Sequence, residues 1–73
     1  METVVQALAA YGATLSDWGV IIRNGKATGV NVVVRKGRVN FKSTGSGKLL
    51  ASGPLEAASV ERFVESFWFW EKS

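Results

Sequence analysis

The sequence predicts an α+β fold: an N-terminal helix, a three- to four-stranded antiparallel β-meander, and a C-terminal helix packed on one face of the sheet. Apolar residues recur at helical spacing near both ends of the chain. Between them lie runs rich in Val and Ile, punctuated by glycine, with Asn24-Gly25 and Lys36-Gly37 placed where hairpins would turn. At 73 residues the chain is one domain, 1–73, with no room for a separate catalytic unit.

The first helix is expected over residues 3–11. Val4, Val5, Leu8 and Tyr11 fall at i, i+1, i+4 and i+7 among alanines, and Gly12 follows as a stop. The first strand is expected from Trp18 to Arg23, the second from Thr28 to Arg35 and the third from Arg38 to Thr44. A short apolar stretch, Leu49 to Ala51, supplies a possible fourth.

A two-residue turn at Lys36-Gly37 sets Arg35 opposite Arg38, Val34 opposite Val39, Val33 opposite Asn40, Val32 opposite Phe41 and Asn31 opposite Lys42. Alternation then sends Val30, Val32, Val34, Val39 and Phe41 to a core face, and Asn31, Val33, Arg35, Arg38, Asn40 and Lys42 to the other. The hairpin at Asn24-Gly25 is less simple. A strict two-residue turn there gives Val20 and Ile22 the opposite parity to Val30 and Val32, so a bulge at Thr28-Gly29 or a longer loop through Ala27 is expected to restore the phase. The face taken by Arg23 stays open.

Pro54 suits a first helical position, and the last helix is expected from about Leu55 toward Glu71. Its apolar stripe is Val60, Phe63, Val64, Phe67 and Trp70, with Glu56, Glu61 and Glu65 on the polar flank. Trp68 and Phe69 fall outside that stripe. A chain this small gains little from its own core, so a homodimer burying those two rings, rimmed by Glu61 and Glu65, is expected; docking on another protein or tucking beneath the chain's own sheet are the alternatives.

Several chemistries are closed by composition. With no Cys and no His, there is no thiolate or imidazole for structural zinc, haem ligation or nucleophilic catalysis, and no metal or cofactor is expected. The six carboxylates are scattered, so an enzyme is not expected. Gly45-Ser46-Gly47-Lys48 lacks the spacing of a phosphate-binding loop, since Lys42 stands where the first glycine belongs and Leu49 where a Ser or Thr would hold magnesium. No signal segment or membrane-spanning run is visible, and a cytoplasmic protein is expected.

Charge is the most informative feature. Between Gly19 and Leu55 lie Arg23, Lys26, Arg35, Lys36, Arg38, Lys42 and Lys48, with no Asp or Glu over 37 residues, giving that segment +7. The remainder carries −4, so the net +3 conceals a dipolar molecule. Lysines at hairpin tips commonly protect sheet edges, but that does not account for Arg35 facing Arg38, because like charges directly opposed across strands cost stability. An anionic partner is therefore expected: single- or double-stranded nucleic acid bound with low sequence specificity, through Arg23, Lys26, Asn31, Arg35, Lys36, Arg38, Asn40, Lys42 and Lys48. The rival is an interaction subunit or inhibitor that docks on an acidic protein surface through its basic face or its aromatic helix. An aromatic platform for bases is missing from the basic face unless Trp18 or Tyr11 stands at its rim.

Overall fold

In the computed structural model, which describes residues 2–66, helix α1 (Glu2–Ala9) is followed by β1 (Ala13–Leu15), β2 (Val20–Arg23), β3 (Lys26–Arg35), β4 (Arg38–Ser43) and β5 (Leu49–Pro54), and then by α2 (Ala57–Ser66). The five strands form one antiparallel sheet in sequence order. This is the expected α+β arrangement with one or two strands more than the sequence suggests. The addition at the front is β1, a three-residue Ala-Thr-Leu segment too short to show alternation.

Both helices cover the same face of the sheet. Val4, Ala7 and Leu8 of α1 and Val60, Phe63 and Val64 of α2 are buried against Ala13, Ile21, Val30, Val32, Val39 and Phe41. Val5, expected on the apolar stripe of α1, is instead 41% exposed. Beyond α1 the Tyr11 hydroxyl donates to Glu65 Oε2 at 3.2 Å, tying the two helices together.

The β3–β4 register is the one the turn imposes, from Arg35 opposite Arg38 to Asn31 opposite Lys42. Lys36 and Gly37 both take positive φ, 49° and 75°, as Asn24 and Gly25 do at 55° and 75°, so both hairpins turn tightly with the twist that favours antiparallel pairing.

The first hairpin departs from expectation. Ile22 pairs with Ala27 but Val20 pairs with Asn31, so β3 carries two extra residues between these pairs. An insertion of two preserves parity: Val20 and Ile22 stay on the face opposite Val30 and Val32, and Ile21 is the residue that turns into the core, with no exposure. Thr28 fills the irregularity by donating its hydroxyl to the Ile21 carbonyl at 2.8 Å. Trp18 and Gly19, expected within the strand, lie in the turn that precedes it.

Pro54 is also placed differently. It closes β5 opposite Arg38, and α2 begins only at Ala57. At the end of an edge strand the missing N–H of proline breaks no ladder. The continuation of the helix past Ser66, with Phe67, Trp68, Phe69 and Trp70, lies outside the described residues. Gly53 is buried beneath α2, where a Cβ would come within 3.0 Å of Ser59 Oγ, so its missing side chain lets helix and strand close. Among the described residues, no helix is long and apolar enough to cross a membrane.

Candidate functional site

Strand alternation turns one side of β3 and β4 into the core and leaves the other side uncovered. On that open face the register sets three rows across the sheet: Arg35, Arg38 and Pro54; Val33, Asn40 and Ser52; and Val20, Asn31, Lys42 and Leu49. Two arginines therefore stand at one end of the β3–β4 ribbon and Lys42 at the other, with the amides of Asn31 and Asn40 along the way. Arg35 and Arg38 are exposed, while Asn31, Asn40 and Lys42 are half-buried.

Of the nine positions singled out in the sequence, five share this face: Asn31, Arg35, Arg38, Asn40 and Lys42. Lys36 occupies the β3–β4 turn beside the arginine pair, a turn held from behind by the Leu55 N–H donating to the Gly37 carbonyl at 2.9 Å. Lys48 ends the β4–β5 loop at the opposite end, where its carbonyl accepts from the Ser43 N–H at 2.9 Å. That loop is closed further by the Gly47 N–H donating to the Ser43 carbonyl at 2.8 Å.

Arg23 and Lys26 are not on the open face. They pair with each other, and Arg23 also pairs with Ala13, which is buried under the helices. Cross-strand partners project to the same side, so both belong to the helix-covered face, at its hairpin end. This settles the side of Arg23.

Trp18, expected at the start of a strand and named with Tyr11 as a candidate for the rim of the basic face, lies in a turn that Asn31 of the open face contacts. Trp18 is 87% exposed. Its carbonyl accepts from Asn31 Nδ2 at 2.8 Å, and the neighbouring Gly19 carbonyl accepts from the Val32 N–H at 2.7 Å. No local pattern in the sequence predicts that contact, because it joins residues 13 apart across a turn and a bulged ladder.

Among the described residues the glutamates lie elsewhere, and Asp17 adjoins Trp18 in its turn. Glu2 is on α1, Glu61 and Glu65 are on α2, Glu56 lies just before α2, and Asp17 is in the β1–β2 turn. Of the residues expected at a dimer seam, Glu61 and Glu65 are exposed on α2, and Glu65 is engaged by Tyr11 of its own chain. Trp68 and Phe69 lie outside the described residues. Partial burial holds the Tyr11 phenol above its ordinary value, and the Glu65 and then the Glu61 carboxylates push it the same way.

A concavity of about 140 Å³ opens between α2 and β5, floored by Phe41 and Phe63 and edged by Ser52, Ser59, Arg62 and Ser66. Among the described residues no polar or charged side chain is buried, and no group of three or more acids could hold a metal ion. Comparison with known proteins found no family model, no curated protein and no solved structure that matches the chain.

Proposed function

We propose that this chain is a non-enzymatic nucleic-acid-binding protein whose uncovered sheet face meets the phosphate backbone with little sequence preference. The observation that carries the reading is the Arg35–Arg38 pair, two cations set directly across a ladder on the face that no helix covers. Cross-strand neighbours have Cβ atoms about 4.5–5.5 Å apart, so the pair repels itself in the free protein and is relieved when a phosphate lies between or above it. Lys42 and Lys48 extend positive charge to the far end of β4, and the acids of the helices orient the molecule so that this face leads toward a polyanion.

Nothing on the face favours base-edge readout. Its amides are few, and cations that meet the backbone position a nucleic acid without discriminating its sequence.

Fluorescence anisotropy at low salt tests this reading. Neutralising about four phosphates gives a log–log salt slope of roughly −3 on single strands. The double variant Arg35→Glu/Arg38→Glu is expected to fold normally and to lose binding. A wild-type protein that binds no oligonucleotide, but forms a nuclease-resistant complex with an acidic protein, would instead make the same face a protein-docking surface.

A further inference from the structure

We propose that Trp18 is a base-stacking residue, and that the ligand of the open face is therefore single-stranded rather than duplex nucleic acid. The inference rests on the reading of that face given above and adds what the basic residues leave undecided, the form of the strand.

Trp18 is the most exposed large hydrophobic residue among those described, at 87%. An indole left in water in a chain this small forgoes burial that the fold could use, and the surrounding turn is built to keep it there. Ser16 Oγ accepts from the Trp18 N–H at 3.2 Å and the Val20 N–H at 3.1 Å. The Ser16 backbone closes the turn from both sides, its N–H donating to the Val20 carbonyl and its carbonyl accepting from the Gly19 N–H, each at 2.9 Å. Asn31 Nδ2 then fixes the Trp18 carbonyl at 2.8 Å. Gly19 holds φ +82°, and a Cβ there would come within 2.9 Å of the Val32 carbonyl, so the turn is pressed directly onto β3. The indole is carried on a backbone whose hydrogen bonds are already made, which keeps down the ordering cost of binding.

Its position suits a stacked base. Val20 pairs with Asn31, the Gly19 carbonyl accepts from the Val32 N–H and the Trp18 carbonyl accepts from Asn31 Nδ2, so the turn that carries Trp18 lies beside the Asn31–Lys42 row. That row lies four residues, roughly 13 Å, along the strand from the Arg35–Arg38 row. A strand whose backbone runs along these cations meets the turn of Trp18 where it passes Lys42. An indole stacks on any base face, so it adds affinity without adding sequence preference. In a duplex those faces are already stacked inside the helix and the indole has nothing to grip. Asn31 thereby becomes a positioning residue, its amide hydrogen bonding to the turn rather than reading a base.

Anisotropy with a labelled oligothymidylate and with a duplex of matched length tests the proposal, read alongside the Arg35→Glu/Arg38→Glu variant. Trp18→Ala is expected to weaken oligothymidylate binding about tenfold and Trp18→Phe only about threefold, both with an unchanged salt slope and unchanged duplex affinity. With 5-fluorotryptophan incorporated, the fluorine resonance missing from Trp18→Phe identifies Trp18 and is expected to shift on adding oligothymidylate. The melting temperature of Trp18→Ala should match wild type. Unchanged oligothymidylate affinity in Trp18→Ala, an equal loss on both probes, an unmoved Trp18 resonance, or a wild-type preference for duplex would each overturn the stacking role while leaving the cationic face standing. Failure of the wild type to bind either probe would remove the underlying reading instead.

Discussion

The rings of Phe41 and Phe63 lie face to face, their centroids 4.0 Å apart and their planes 4° from parallel. This contact bolts α2 to β4, and β4 is also the strand whose opposite side carries Arg38, Asn40 and Lys42. The core and the candidate binding face are two sides of one six-residue strand. Phe41→Ala should therefore cost about 3–5 kcal/mol, and a chain of this length has little more than that to lose. Urea denaturation followed by circular dichroism measures it. A double-mutant cycle with the milder Phe41→Leu and Phe63→Leu should return a coupling of about 0.5–1.5 kcal/mol for the stacked pair.

The opposed arginines predict a conflict between stability and binding. Replacing one of them, as in Arg38→Glu, turns a repulsive cross-strand pair into an attractive one and should stabilise the fold by about 0.2–1 kcal/mol. The same change should weaken oligonucleotide binding and flatten its salt dependence by about one phosphate contact. Thermal melting and a salt titration on one protein sample test both halves. A variant that gained stability and kept its affinity would show that the pair is not an anion site.

Gly19 and Gly25 both take positive φ, but only Gly19 is crowded. A Cβ at Gly19 would meet the Val32 carbonyl at 2.9 Å, whereas one at Gly25 meets nothing within 4 Å. Gly25→Ala should cost about 1–2 kcal/mol, the left-handed backbone penalty alone. Gly19→Ala should cost more, because the turn must also lift from β3, and it should loosen the Asn31–Trp18 bond with it. Melting temperatures of the two variants rank the effects.

Tyr11 is the single tyrosine of the chain, so phenolate absorbance reports it alone. It should titrate above the ordinary value of about 10, and Glu65→Gln should bring it down. A raised folded-state value means that the folded protein holds the phenolic proton more tightly than the unfolded chain does. The resulting contribution to stability is complete below about pH 10 and is lost as pH rises through the folded-state value. Alkaline melting curves of wild type and Tyr11→Phe should therefore differ in slope only in that window.

The β3–β4 ribbon was legible because its determinants are local. A two-residue turn needing two left-handed residues admits one register, and a period of two then assigns every side chain from Asn31 to Lys42 to its face. The apolar stripe of α2 through Val60, Phe63 and Val64 follows from helical periodicity in the same way. What escaped the sequence is non-local. Three residues of β1 carry no periodicity, yet they become a strand because Ala13 pairs with Arg23, and that pairing in turn decides the side of Arg23. The irregularity in β3 adds two residues rather than one, so it leaves the parity of the tight turn unchanged and Ile21 rather than Val20 or Ile22 enters the core, beside a Thr28–Ile21 hydrogen bond that no spacing rule contains. Pro54 reads equally well as a helix start or a strand end, and its place opposite Arg38 selects the second. Trp18 reaches the open face only because Asn31 and Val32 bond to its turn across the sheet. Alternation and turn chemistry act over a few residues and so are written in order along the chain; pairing across strands and cover by helices depend on which segments meet, and that is decided only when the whole chain has folded.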